Sequence, residues 1–128
     1  MTLPGEQNNL TAECHCGNLK LTAPELPTSI TRCNCSICDR LGALWAYYDS
    51  ADVEITIGDL PLHSYAWGEK SIVYHRCGEC GCTTHYTSSL PNDSKLTAIN
   101  CRMVPAAALR NIPLRDFDGR ESWKYLDE

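Results

Sequence analysis

No stretch of the chain approaches the roughly 18 consecutive apolar residues that a membrane-spanning helix needs. Positive charge is also scarce, because 11 Lys and Arg face 16 Asp and Glu and the formal net charge is −5. A general nucleic-acid or membrane-surface binder would show a basic stripe, so neither nucleic acid nor membrane is expected as a partner. Repeats, linkers and low-complexity tracts are absent as well, and 128 residues suit one domain spanning residues 1–128.

The N-terminal residues also lack the charged-then-apolar pattern of an export signal. We therefore expect a cytoplasmic protein, in which thiols stay reduced. Nine cysteines in such a chain need an explanation, and both their odd number and their tight spacing are poor for a disulfide framework. Metal binding is the better interpretation of clustered cysteines inside the cell.

Short alternating apolar runs separated by Gly, Pro, Asn and Asp predict a mainly β protein. Helix signals are few: Ser36 is a candidate cap for one turn ending at Leu41, and Pro105 for a short helix ending near Arg110. The predicted strands are residues 19–23, 44–48, 53–57, 62–67, 71–75, 83–87 and 96–104.

Eight of the cysteines fall into three groups with the spacing of metal ligands. Cys14-x-Cys16 would place both sulfurs on one side of an extended chain. Cys77-Gly78-Glu79-Cys80-Gly81 is typical of a zinc knuckle, in which the glycine allows a turn that points backbone N–H groups at the sulfurs. Two such pairs, far apart in sequence, are the usual ligands of a structural zinc.

The middle group, Cys33-x-Cys35-x-x-Cys38, offers three thiolates within six residues. Three protein ligands and one open position are typical of a catalytic zinc. Such an ion can hold a substrate thiol as a thiolate or polarise a carbonyl group. The fourth ligand is left open by the spacing: Cys82 is the leading candidate and would close the site, and the further candidates are His75 and His85.

Other residues have a structural interpretation beside a functional one. Cys101 lies in an apolar run and is interpreted as a buried free thiol. Arg32 and Arg102 are candidates for pairing a substrate carboxylate, although surface or structural arginines are the commoner case. Asp39 and Arg40, just after the middle group, either support it or form a solvated pair. The aromatic residues on predicted strands are interpreted chiefly as core packing: Trp45, Tyr47, Tyr48, Tyr65 and Trp67.

Taken in order, Cys14-His15-Cys16-Gly17, Arg32-Cys33-Asn34-Cys35-Ser36-Ile37-Cys38 and Cys77-Gly78-Glu79-Cys80-Gly81 resemble the glutathione-dependent formaldehyde-activating enzyme family, which includes centromere protein V. The resemblance spans about residues 11 to 104. It implies a β-tent fold of short antiparallel sheets around one or two zinc ions. It also implies that Cys14, Cys16, Cys77 and Cys80 share a structural zinc. The middle group, Cys33, Cys35 and Cys38, would hold a second, more labile zinc linked to activity.

The activity that the resemblance implies is that of a carbon–sulfur lyase similar to S-(hydroxymethyl)glutathione synthase. The partners would be a small thiol such as glutathione and a small aldehyde, formaldehyde in the family's own reaction. The alternative is a non-catalytic zinc-binding module for small thiols or protein partners, which Cys82 would favour if it closed the second site.

Overall fold

The computed structural model describes residues 9–66, 71–88 and 95–127, and the strands within them are short. They form a mainly β protein, as predicted, with the following elements in chain order. These are β1 (Leu10–Glu13), β2 (Leu19–Ala23), β3 (Ile30–Cys33), α1 (Ser36–Leu41), β4 (Trp45–Asp49), a 3-10 turn (Ser50–Asp52), β5 (Glu54–Ile57), β6 (Leu62–Ala66), β7 (Ile72–Cys77), β8 (Thr83–Ser88), β9 (Leu96–Asn100), two 3-10 turns (Cys101–Met103 and Ala106–Leu109) and β10 (Leu114–Phe117).

The strands form two sheets of different size. The smaller is antiparallel with the order β1-β2-β5, and the larger has the order β10-β3-β4-β9-β8-β7-β6. All pairs in the larger sheet are antiparallel except β10 and β3, which are parallel. The sheets are thus antiparallel, as the resemblance implied, apart from this one pair at the edge, where the chain returns to β3 from the C-terminal part.

The main core fills the space between the two sheets. Apolar residues alternate along β1 and β2, so that Leu10, Ala12, Leu19 and Leu21 are fully buried on one face of the small sheet. Ile99 of β9 belongs to the same core. Face-to-face packing of two sheets over such a core produces the tent-like architecture that the resemblance implied.

A second, smaller core lies on the opposite face of the large sheet. Residues directly opposite each other on antiparallel strands share a face, so Tyr74, Tyr86 and Ala98 lie side by side there. Trp45 of β4 and Cys38 of α1 complete this cluster. The short helix covers only part of the face, because α1 has six residues.

Several element boundaries differ from the sequence prediction. The strand predicted over 96–104 ends at Asn100, because its side-chain oxygen accepts hydrogen bonds from the N–H groups of Leu44 and Arg102 and starts a 3-10 turn. The helix that begins at Ser36 is capped by Cys35 and not by Ser36. Strands β1, β3 and β10 were not predicted, and Trp67 lies outside the described residues.

Candidate metal centres

The first candidate centre joins the turn between β1 and β2 to the turn between β7 and β8. Glycines with positive φ complete both turns, Gly17 at +85° and Gly81 at +78°, and L-residues with side chains rarely adopt this conformation. The two turns bring together the thiols of Cys14, Cys16, Cys77 and Cys80, with all four sulfurs within 4.8 Å of one another. We call this group the four-cysteine cluster.

The sulfur spacing in the four-cysteine cluster fits a tetrahedral zinc ion. Zn–S bonds of about 2.3 Å place the sulfurs of four thiolates roughly 3.8 Å apart. Here the Sγ atoms of Cys14 and Cys16 are 3.8 Å apart, and those of Cys16 and Cys77 are 3.5 Å apart. Cys14 and Cys77 are buried in the main core, whereas Cys16 is exposed, so one side of the cluster faces solvent.

Backbone N–H groups surround the same sulfurs. Leu19 N–H donates to Cys14 Sγ at 3.3 Å, and Glu79 N–H donates to Cys77 Sγ at 3.4 Å. Hydrogen bonds from the N–H groups of Cys80 and Glu79 lower the pKa of Cys77. Such donors stabilise thiolates, the form that binds metal.

The second candidate centre lies where β3 ends and α1 begins. Cys33 is the last residue of β3, Cys35 is the helix N-cap and Cys38 lies in the first turn. Their three sulfurs lie within 4.8 Å of one another, and we call them the three-cysteine cluster. Cys35 N–H donates to Cys33 Sγ at 3.5 Å, and Cys38 N–H donates to Cys35 Sγ at 3.4 Å, so the local backbone orients the thiols.

An aromatic floor of Trp45, Tyr74 and Tyr86 supports the three-cysteine cluster from below. The ring centroids of Trp45 and Tyr86 are 4.7 Å apart in an edge-to-face arrangement, and those of Tyr74 and Tyr86 are 5.4 Å apart. Trp45 Nε1–H donates to Cys38 Sγ at 3.3 Å. The sheet therefore supplies a hydrogen bond to the cluster as well as apolar contact.

The thiols of the three-cysteine cluster differ in acidity. Hydrogen bonding to the Cys38 thiol, together with the Cys35 N–H, lowers the pKa of Cys33 to about 6. The pKa of Cys38 is raised, because its thiol serves as the donor to Cys33 and because it is buried.

Cys82, the candidate fourth ligand of the second centre, lies elsewhere. Its Sγ accepts a hydrogen bond from His15 N–H and lies close to Cys80, beside the four-cysteine cluster. The path of the backbone explains this position. The Cys77 N–H donates to the Cys82 carbonyl oxygen at 3.0 Å, so the turn that follows Cys80 keeps Cys82 beside the same cluster. Within the described residues, the three-cysteine cluster contains no fourth Cys, His, Asp or Glu ligand.

The two histidine candidates are also placed away from the second centre. His75 of β7 and His85 of β8 pair directly across the strands, and their rings stack with centroids 4.5 Å apart. They alternate with Tyr74 and Tyr86 along these strands and so occupy the opposite face of the sheet. The His75 ring nitrogens make hydrogen bonds to the hydroxyl groups of Ser64 and Thr87, at 2.9 Å each.

The second centre opens towards an aromatic surface. Tyr47 and Tyr65 continue the row of rings on this face of the sheet, and their exposed fractions are 41% and 49%. A small cavity of about 300 Å³ lies between α1 and β6 and is lined by Ser36, Ile37, Arg40 and Tyr65. A broader groove of about 1010 Å³ is lined by Cys82 but by no cysteine of either cluster, so we assign it no part in the chemistry of the clusters.

The remaining candidates take structural positions. Cys101 is buried, and burial raises its pKa to about 12, as suits a free thiol in the core. Arg32 pairs with Asp116, with Nε and Oδ1 2.6 Å apart, and Arg102 Nε–H donates to the Gly42 carbonyl at 2.9 Å. Tyr48 hydroxyl donates to the Glu25 carbonyl at 2.8 Å, on the side of the main core.

Two parts of the second centre could not be predicted from the spacing of the cysteines. One is the aromatic floor, since Tyr74 and Tyr86 come from strands far along the chain. The other is Gly119, which packs so closely against the cluster that a Cβ at this position would lie 2.7 Å from Cys33 Sγ. The only sequence signal for Gly119 is that a glycine among polar residues after a short segment is typical of a turn.

The fold and the clusters define a class: a mainly β protein built around two thiol clusters with the geometry of metal sites. The sequence profile of the family described as "Glutathione-dependent formaldehyde-activating enzyme" matches residues 9–110, and the chain belongs to this family. The match includes every cysteine of both clusters and ends before β10.

Among solved structures, the chain is similar to a Rhodobacter sphaeroides protein whose crystal structure was determined as a structural genomics target. The two are 25% identical, superpose with a TM-score of 0.66, and share 82% of this chain and 99% of that one. None of the curated proteins matches the chain significantly. No helix in the described parts of the chain has the length and apolar character needed to cross a membrane.

Proposed function

We propose that the protein is a zinc-dependent carbon–sulfur lyase that forms or cleaves adducts between a small thiol, such as glutathione, and a small aldehyde, such as formaldehyde. The observation that carries the proposal is the three-cysteine cluster, which lies beside an exposed aromatic surface and has no fourth ligand within the described residues. Family membership supports the theme of thiol and aldehyde chemistry.

The donor sets fit zinc at both centres. We propose that the four-cysteine cluster holds a structural ion and the three-cysteine cluster a second, more labile one, within one domain and in the reducing cytoplasm. When bound at the second centre, zinc would supply a Lewis acid that lowers the pKa of a thiol or polarises a carbonyl group.

The residues around the second centre have distinct roles in this proposal. The sulfur of the substrate thiol attacks the aldehyde carbon, so that a C–S bond forms while the S–H bond and the C=O π bond break, and the oxygen takes up a proton in exchange for the one that the thiol releases to solvent. Tyr47 is the candidate donor of a hydrogen bond to that oxygen. Desolvation and the neighbouring Tyr86 hydroxyl raise its pKa, so the phenol stays protonated while its ring remains partly exposed.

The aromatic floor holds the ligands in place during this step. The indole N–H of Trp45 stabilises negative charge on Cys38, and the Tyr74 ring packs in the same buried cluster. The same rings exclude water from the inner side of the cluster, which strengthens every charge interaction at the sulfurs.

The test is the rate of exchange between free and adducted formaldehyde in the presence of glutathione, measured by NMR exchange spectroscopy. The uncatalysed addition is itself easy, so each rate is compared with a protein-free sample. We expect the wild type to accelerate exchange and Cys35→Ser to return it to the uncatalysed rate. Cys101→Ala, which removes a buried thiol outside both clusters, is the matched control and should keep the acceleration.

The contrary result is a folded wild-type protein that carries two zinc ions and does not accelerate exchange in either direction. The chain would then be a non-catalytic zinc-binding module for small thiols or protein partners. Zinc per chain, measured by elemental analysis before and after dialysis against glutathione, then shows whether a thiol reaches the second ion. A ratio that falls from two towards one identifies a second ion that a thiol can exchange.

A further inference from the structure

The C-terminal part of the chain, beyond the family match, returns to the three-cysteine cluster. Strand β10 pairs in parallel with β3, with Phe117 opposite Cys33 at the end of the strand. After β10, residues 118–122 form a turn against Asn34, the residue between Cys33 and Cys35. Asn34 N–H donates to the Phe117 carbonyl at 3.2 Å, which carries the β ladder up to the cluster.

The turn is fixed to Asn34 through both ends of its side-chain amide. Asn34 Nδ2 donates to Asp118 Oδ1 at 3.0 Å, and Asn34 Oδ1 accepts a hydrogen bond from Arg120 N–H, also at 3.0 Å. Asp118 in turn accepts from Ser122 Oγ at 2.9 Å. Asn34, which lies inside the ligand motif, therefore binds the two residues that flank Gly119.

Gly119 is in direct contact with the cluster. A Cβ at this position would lie 2.7 Å from Cys33 Sγ and 3.4 Å from Cys35 Cβ, so the Gly119 backbone packs directly against a ligand sulfur. Its φ is not positive, so the requirement for glycine comes from close packing and not from the backbone conformation. Packing and hydrogen bonds from outside the ligand motif are a typical way for a protein to orient a metal ligand.

A purely structural role would account for other features of this segment but not for this contact. Phe117 packs against Trp123 and Tyr125, with ring centroids 5.6 and 5.0 Å apart, and Arg115 stacks over the Tyr125 ring. These contacts hold the segment together, and the hydroxyl groups of Tyr125 and Thr31, 2.9 Å apart, join it to β3 by a hydrogen bond. They do not require a glycine backbone to lie against Cys33 Sγ.

We infer that the turn of residues 118–122 forms an integral wall of the second metal centre, with Gly119 and Asp118 as positioning residues that orient Cys33 as a ligand. The inference rests on the proposal that the three-cysteine cluster binds a metal ion, but it does not rest on catalysis. It predicts that the affinity of this centre depends on a segment that the family profile does not include.

The test is a chelator competition titration with zinc and a cobalt(II) titration followed by absorption, because thiolate-to-cobalt bands report ligand geometry directly. We expect Gly119→Ala to weaken metal binding at the second centre about 10-fold or more, as for other substitutions that disturb ligand orientation, and to shift its cobalt bands. Binding at the four-cysteine cluster should stay unchanged and serves as the internal measure of folding.

Two further variants make the test specific. Asp118→Ala removes the partner of Asn34 without adding atoms near the sulfur, and it should weaken the second centre several-fold. Asp116→Asn is the matched control on the same segment: it breaks the exposed ion pair with Arg32 and should leave both metal affinities within about twofold of the wild type.

Each outcome bears on the inference. Affinity within twofold of the wild type for both Gly119→Ala and Asp118→Ala would overturn it, even if the wild type is active. If Gly119→Ala does not fold, Asp118→Ala decides alone, and equal weakening of both centres in that variant also overturns the inference. A wild-type protein that binds only one metal ion would overturn it together with the proposed second centre.

Discussion

The two cysteine clusters use the same ligand atoms but join very different parts of the chain. The four-cysteine cluster connects the small sheet to the large one, and its Cys16 and Cys77 are 61 positions apart. The three-cysteine cluster is supplied by six consecutive residues around one strand end. Linking distant segments restricts the unfolded chain much more than linking neighbours does. The first cluster is therefore suited to stabilise the fold, and the second to carry chemistry.

The surroundings of the two clusters also suit these different roles. Cys14 and Cys77 belong to the main core between the sheets, whereas Cys33 and Cys35 are only partly buried beside an aromatic surface. A site that exchanges its substrate must be reached from solvent, and a structural site need not be. The number of cysteine ligands and the kind of surface beside each cluster together distinguish the two centres more clearly than cysteine spacing alone.

The largest expected effect is that of Cys77→Ser, which removes a fully buried ligand of the four-cysteine cluster. We expect a loss of more than about 4 kcal/mol of unfolding free energy, because a structural metal ion is lost together with its link between the sheets. Thermal and denaturant unfolding followed by circular dichroism measure it. The matched variant Cys35→Ser should cost no more than about 1 kcal/mol. Equal losses for the two would contradict the division into a structural and a functional centre.

Metal removal should separate the centres in order. With a zinc-sensitive dye and increasing chelator, we expect the first equivalent to leave the three-cysteine cluster while the chain stays folded. The second should leave only as the protein unfolds, because four thiolates hold it and two of them, Cys14 and Cys77, are buried in the main core. Parallel circular dichroism provides the check on folding. Release of both equivalents in one step, coincident with unfolding, would show that the centres do not differ in this way.

A smaller effect is expected for Trp45→Phe, which keeps an aromatic ring in the floor but removes the Nε1–H donor to Cys38 Sγ. Metal affinity of the second centre should fall about 10-fold. Unfolding free energy should fall by about 1–2 kcal/mol, owing to the lost hydrogen bond and the smaller ring. Trp123→Phe, at a position 73% exposed, is the control and should change neither quantity. Unchanged metal affinity in Trp45→Phe would mean that the aromatic floor contributes packing to the second centre but that its hydrogen bond to Cys38 does not affect metal binding.

The sequence carries enough information to predict the mainly β fold and to group the cysteines. Alternation of apolar residues marks β2 and β5, and the short Cys-x-Cys and Cys-x-x-Cys spacings mark the local halves of each cluster, because both signals are local. Strand β1 was not predicted, although Leu10 and Ala12 alternate with polar residues, because four residues before a cysteine pair are too few to show a clear periodicity. Strand β10 was missed for the same reason of length.

The parts that could not be predicted depend on contacts between distant segments. Placing Cys82 requires the path of the turn after Cys80, which carries its thiol to the first cluster and not to the second. The histidine pair requires the register of β7 on β8, which puts both rings on the face opposite the tyrosines. Gly119 requires the parallel pairing of β10 with β3. Spacing along the chain contains none of these three facts.

The smallest expected effect concerns the stacked histidines, on the main-core face of the large sheet. Burial and the adjacent His75 lower the pKa of His85 to about 3, so between pH 3 and about 6.5 the unfolded chain binds a proton that the folded chain does not. Stability must therefore fall as pH drops below about 6.5. We expect His85→Gln to flatten that slope between pH 5 and 6.5 in denaturant unfolding, and His63→Gln, on an exposed position of β6, to leave it unchanged. Because His85 lies on the face opposite the three-cysteine cluster, the same variant should bind metal there like the wild type. A changed affinity at the second centre would mean that the two faces of the sheet are energetically coupled, and the contrast between the two clusters would then be less sharp than their positions indicate.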